Sequence, residues 1–337
     1  MRALLASRNL PSLAAAAILA VLVVAGSVRF EHFASVGNLS NLLGDYAFVA
    51  IAAVGATFVI LAGGIDLSVG SMVAFTAMLA AWLVDRGWHP LATVPVCLAI
   101  GAALGAAMGG LIHAFALPAF IVTLAGMFAL RAATFLLHDQ PLGIVHPFLS
   151  WMSRDAAVPL GGAALPARAV LMLAVVALGA IVAGRTRFGR RVYALGGSPR
   201  SAEAMGVSVG TTTVAVYALA GACAALAGVV FASAKRAGDP TALVGLELTV
   251  IAAVVIGGTL LSGGVGSVGG TLLGVLILGV IRLLIDFQGN LNAAWTSVAT
   301  GVLLLAFAGL QRALAGLGGW ADRGTGGAAR IEPRLPR

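Results

Sequence analysis

The chain has 337 residues, 60% of them hydrophobic and 9% charged, with a mean hydropathy of +1.05, whereas soluble domains are about a quarter charged. Those proportions exclude a water-soluble fold. The net charge of +8 would suit a nucleic-acid partner, but the basic residues sit at the ends of apolar segments without an aromatic-rich basic patch, so no nucleic acid is expected.

A helix that crosses the hydrocarbon layer needs about 20 apolar residues. Backbone groups in lipid must be satisfied within the segment, so such runs should be helices. Ten occur, at about 13–28, 46–61, 68–84, 91–115, 119–137, 168–183, 213–231, 246–261, 268–285 and 293–310. The first, preceded by Arg2 and Arg8, also has the form of a secretory signal; because so many runs follow, an uncleaved first transmembrane helix is expected. Residues 1–320 therefore read as one all-α integral membrane domain of about ten transmembrane helices, and 321–337, rich in Gly, Ala and Arg, as a disordered cytoplasmic tail.

With the N-terminus placed in the cytoplasm, twelve of the twenty Lys and Arg residues fall on the cytoplasmic side, five on the other, and three within or at the ends of runs. This is the bias that orients membrane proteins. Both termini should be cytoplasmic.

In chain order, the first interruption is Gly63-Gly-Ile-Asp-Leu-Ser-Val-Gly-Ser71. An acid near the membrane interior needs a partner or a task. Asp66 can cap the following helix by accepting from the amides near Ser68 or Val69, or take part in gating or in contact with a cytoplasmic partner. Gly101, Gly105 and Gly109 repeat at four-residue spacing, as do Gly266, Gly270 and Gly274, and such small residues let helices approach closely in lipid. Arg131 and Arg282 can snorkel to the headgroups, or Arg131 can face the bundle. The stretch 138–167, with four prolines and Trp151, should form turns and a short interfacial helix.

Residues 185–212 form the longest arginine-rich segment. Ser198 can serve as N-cap, Pro199 as the first helical residue and Gly206 as the stop, giving a helix of about two turns. So short a helix is marginal in water and should be stabilised by docking, with Ala202 and Met205 offered to a groove. Further on, Gly264, Gly266 and Gly269 formally match a dinucleotide fingerprint, but membrane-length flanks replace the strand and soluble unit it needs. Cys97 and Cys223 fall inside apolar runs and read as packing residues. There is no phosphate-binding loop, no Ser/His/Asp set and no metal-spaced His cluster, so no catalytic residue, metal or cofactor is expected.

Four ordered stretches resemble the ribose-type permease family of ATP-binding-cassette (ABC) sugar importers. They are Ala53–Ala62 running into Gly63–Ser71, then Pro118–Gly126, Thr186–Gly197 and Ile251–Thr259, and the likeness covers about residues 30–312. Within that family, Thr123–Phe128 and Gly257–Gly266 are most similar to the permeases of a galactofuranose importer. The resemblance implies an ABC importer permease fold in a bacterial inner membrane, paired with an identical or different second permease. It also implies cytoplasmic ATP-binding subunits and a periplasmic sugar-binding protein as partners. Residues 198–206 would then be the coupling helix, with Ser198, Pro199, Ala202, Glu203, Met205 and Gly206 facing the ATPase; Ser198 stands where relatives often carry Asn. Asp66, Ser68, Thr123, Glu247, Thr296 and Thr300 are the candidates for the solute pathway or its gating. A transporter driven by protons or sodium is the rival reading, and it requires ionisable residues and broken helices at the bilayer midplane.

Overall fold

The computed structural model describes residues 10–147, 157–160, 163–289 and 294–323. Each of the ten apolar runs found in the sequence contains a helix. In chain order the helices are α1 (Leu10–Arg29), α2 (Val36–Asp45), α3 (Ala47–Leu61), α4 (Val69–Asp85), α5 (Pro90–Ala114), α6 (Ala119–Leu137), α7 (Ala167–Arg185), α8 (Arg187–Gly197), α9 (Pro199–Ala204), α10 (Val209–Lys235), α11 (Leu246–Ile256), α12 (Val268–Gln288) and α13 (Ala294–Arg323). Six of them are long and apolar enough to cross a membrane, with α2 and α3, bent by 53°, making a seventh if taken as one span. Three apolar stretches are shorter: α4, α11 and Ala294–Phe307 of α13.

The run 246–261 departs most from expectation, because its helix stops at Ile256. The reason is local. The amide of Gly258 bonds to the Val255 carbonyl and that of Thr259 to Val254, with Gly258 at φ +93°, the left-handed closure that ends helices. Gly63 closes α3 the same way, its amide reaching Ile60 and that of Gly64 reaching Val59. The last helix continues to Arg323, three residues past the expected domain boundary. The remaining tail, the residues before Leu10 and, within the stretch 138–167 expected to hold a short interfacial helix, residues 148–156 and 161–162 lie outside the described residues. In the rest of 138–167 the chain forms short strands. β1 (Leu142–Gly143) pairs antiparallel with β4 (Ala237–Gly238), and β2 (Ala157–Leu160) with β3 (Ala163–Pro166).

Successive connections gather at two opposite ends. At the arginine-rich end the Gly264 amide bonds to the Leu61 carbonyl at 2.9 Å, and the Tyr193 hydroxyl bonds to the Gly266 carbonyl at 2.8 Å. At the other end, besides the β1–β4 ladder, Arg168 Nε donates to Gly44 at 2.9 Å and the Ile144 amide to Arg236 at 2.7 Å. Up-and-down alternation of the long helices follows from this division.

The long helix α10 lies at the centre, packed on α3, α4 and α5. Lipid supplies little hydrophobic force between helices, so close approach through small residues must hold them. A Cβ on Gly101 would meet Gly221 and Ala225, one on Gly105 the Tyr217 carbonyl, and one on Gly109 Val214. Gly270 and Gly274 let α12 close on Gly257 and Ala253 in the same manner, whereas Gly266 lies before α12, in the connecting turn. Thr57 on α3 and Thr271 on α12 share a buried hydrogen bond of 2.7 Å. Cys97 and Cys223 are buried and unpaired.

Candidate functional site

Three places bring polar residues together in this apolar bundle. The first is the link between α3 and α4. Asp66, only 7% exposed, accepts from the Ser68 amide at 2.8 Å and from its hydroxyl at 2.6 Å, so the carboxylate does turn the chain into α4. Thr123 on α6 holds the same link, its hydroxyl accepting from the Leu67 amide at 3.1 Å and lying 3.2 Å from the Ile65 carbonyl. Asp66, Ser68 and Thr123 are thus one buried cluster.

The second place is the break before α11. With 11 residues, α11 is about 16 Å long, about half of a ~30 Å hydrocarbon layer, and Glu247 is in its first turn. Between Lys235 and Leu246 the chain is not helical, holding only β4 and turn bonds such as Ala242 to Asp239. Non-helical backbone within a membrane must be satisfied by protein or by a wet cavity. Arg131 on α6 does this: its guanidinium donates to the Ala242 carbonyl at 2.8 Å and reaches those of Pro240 and Leu243 at 3.5 Å. Arg131 therefore faces the bundle and does not snorkel. Beside it opens a cavity of about 450 Å³ lined by Ser71, Phe128, Arg131, Phe135, Thr241 and Glu247, among others. Ser71 Oγ and Glu247 Oε2 are enclosed and meet no hydrogen-bond partner among the described residues.

The third place is the short helix α9. Ser198 accepts from the Ser201 amide at 3.2 Å, Pro199 is the first helical residue, and Gly206 stops the turn at φ +80°. Met205 is 72% exposed, but Ala202 is fully buried against its own chain. Ala202 thus anchors α9 and is not available to an outside groove. Glu203 and Gly206 are exposed beside Met205. Immediately before α9, Gly196 of α8 is wedged against the Leu61 carbonyl and the Gly264 amide, and Gly263 against Gly63. The links after α3 and α11 and the end of α8 consequently meet backbone to backbone.

Thr296 and Thr300 join none of these places. They lie on α13, where the Thr300 hydroxyl donates to the Thr296 carbonyl at 2.8 Å. A larger cavity, about 790 Å³, runs between α1, α12 and α13, but its lining, including Leu22, Ile281, Val298 and Leu303, is almost wholly apolar. Among the described residues no group of three or more His, Cys, Asp or Glu could hold a metal ion.

A bundle of alternating apolar helices, with one of them short and a short capped helix at the arginine-rich end, defines a multi-pass membrane protein. Residues 38–308 match the family described as the branched-chain amino acid transport system permease component, and the chain belongs to that family. It is similar over nearly its whole length to the inner membrane ABC transporter permease protein YjfF of Escherichia coli K12, at 48% identity across 96% of this chain and 98% of that one. It is also similar to the fructose import permease protein FruG of Bifidobacterium longum, at 36% identity across 92% and 93%. The ribose import permease protein RbsC of Escherichia coli K12 shares 37% identity across 86% and 90%. No solved structure matches the chain. The chain is a ribose-type ABC permease of the inner membrane, a transport subunit and not an enzyme.

Proposed function

We propose that the chain is the membrane conduit of an ATP-driven importer that carries a monosaccharide into the cytoplasm by alternating access, with galactofuranose the leading candidate. The observation that carries the reading is the exposed Met205 turn on α9, set directly after a helix whose Gly196 is packed against the links that follow α3 and α11. A push on α9 from an ATP-binding partner has a stiff route to both links. Ser198, Pro199, Glu203, Met205 and Gly206 form or flank that contact.

Ribose and fructose in the names of two relatives support a sugar, although the family description names another solute class. Galactofuranose rests on the stretches Thr123–Phe128 and Gly257–Gly266. The partners are cytoplasmic ATP-binding subunits, a periplasmic sugar-binding protein and a second permease, identical or different, and the arginine-rich end faces the cytoplasm with both termini. The shift between states needs ATP and the loaded binding protein to favour different conformations.

The rival, an ion-coupled porter, gains one feature, since α11 is a short helix set after a non-helical stretch and such transporters use broken helices at the midplane. Among the described residues Glu247 is the one acid lining the cavity at that break, and the Arg131 guanidinium beside it is bonded to backbone carbonyls. The test is uptake of labelled galactofuranose against labelled ribose by the complete complex in proteoliposomes, with ATP hydrolysis measured alongside. Stimulation of both by the loaded binding protein supports the proposal; turnover indifferent to every sugar tried contradicts it.

A further inference from the structure

We propose that the cavity at the break before α11 is a contact site for a neutral, polyhydroxylated ring in transit, with Glu247 and Ser71 meeting its hydroxyls and Phe128 and Phe135 its C–H faces. This rests on the reading of the chain as a sugar-importing permease and names the residues that act on the solute.

The cavity, about 450 Å³, is within the ~300–1,000 Å³ range of small-molecule sites. Its polar groups are unequal in a way that selects a ligand. The guanidinium of Arg131 is committed to the carbonyls of Ala242 and its neighbours. The Thr241 hydroxyl is committed to Asp239 at 2.7 Å. Glu247 has no ion pair among the described residues, and its Oε2, like Ser71 Oγ, lacks a partner. A buried acceptor without a donor is costly, more so when charged, and in native proteins it calls for an explanation. A solute that brings hydroxyl donors supplies one.

Backbone placement makes this pairing a built feature. Ser71 is in the first turn of α4 and Glu247 in the first turn of α11, so two helix N-termini converge at the carboxylate. They can converge because residue 70 is glycine: Glu247 Oε2 occupies the space that a Cβ there would take. Phe128 and Phe135, 64% and 42% exposed, add flat apolar surface beside the polar groups, the combination that suits a ring with hydroxyls at its rim and C–H bonds on its faces. With Arg131 already committed to carbonyls, an anionic solute finds no free cation here and would face the Glu247 carboxyl group, whereas hydroxyl donors meet both Glu247 and Ser71.

The experiment measures sugar taken up per ATP hydrolysed by the complete complex, permease pair with ATP-binding subunits and binding protein, in proteoliposomes. Glu247→Gln and Ser71→Ala should each lower that ratio about tenfold, the factor expected for losing one good hydrogen bond to a solute. Gly70→Ala, which displaces Glu247 without altering its chemistry, should do the same. Phe128→Ala, at an exposed position where folding is not at stake, should lower it several-fold. Ratios within twofold of the parent complex in all four variants would overturn the proposal, as would uptake driven by a pH gradient without ATP and lost in Glu247→Gln. A parent complex that hydrolyses ATP but moves no sugar would overturn the underlying functional reading as well, and is distinguished from the first result by the parent's own behaviour.

Discussion

The guanidinium of Arg131 bonds to the carbonyl of Ala242, 111 residues further along the chain, at 2.8 Å. A charge in the middle of an apolar helix thereby supplies the donors that the non-helical descent into the bundle would otherwise lack. Replacing Arg131 with Ala should destabilise the protein by about 3 kcal/mol, the cost of a charge-assisted bond lost from buried carbonyls. Arg131→Lys should recover little, because an ammonium cannot fork across several carbonyls. Thermal unfolding in detergent checks both; a Lys variant as stable as the parent would show that charge alone suffices.

The approach of α5 to α10 depends on glycine. A Cβ on Gly105 would strike the Tyr217 carbonyl, so Gly105→Ala should lower stability by about 1–3 kcal/mol through overpacking. Gly110 has open space around its missing Cβ, and Gly110→Ala should be neutral or slightly stabilising. The contrast between neighbours on one helix, read from unfolding temperatures, separates packing from helix propensity.

These two cases mark how far the sequence could be read. Apolar run length located the long helices but neither α2 nor α8, and the four-residue glycine spacing marked α5 as a helix that another approaches closely without saying which, because both are local patterns with a fixed period. Ser198, Pro199 and Gly206 were legible for the same reason: capping is decided by residues a few positions apart. The end of α11 was missed because hydropathy stays high through Leu260 and Leu261, and only the paired glycines 257–258 hinted at a stop. The part played by Arg131 was open in the sequence because snorkelling and inward bonding use the same residue in the same run. Its carbonyl partners lie more than a hundred residues away, and only Pro240 and Gly245 before Leu246 signalled a break. Ala202 and Met205 looked equivalent on a two-turn helix, and which one faces outward is set by packing against the chain's own helices.

Gly196 is packed against the Leu61 carbonyl and the Gly264 amide, which themselves bond at 2.9 Å. Gly196→Ala should separate the two links, at a cost of about 1–3 kcal/mol. In the assembled complex it should also reduce sugar uptake more than ATP hydrolysis, since the stroke passes through this contact. Equal reductions in both would argue against transmission through Gly196.

Met205 is exposed and holds no part of the bundle together. Met205→Glu should leave the unfolding free energy within about 0.5 kcal/mol, as for most surface changes, yet abolish the stimulation of ATP hydrolysis by the loaded binding protein. Unchanged stimulation would mean that α9 is not where the ATP-binding partner seats.

The energy source is the most direct test of all. Labelled sugar accumulation should be measured in proteoliposomes holding either the complete complex with ATP inside or this chain alone under an imposed proton or sodium gradient. Accumulation should occur only in the first, and should stop when ATP is replaced by a non-hydrolysable analogue. Accumulation by the chain alone, driven by the ion gradient, would contradict the assignment.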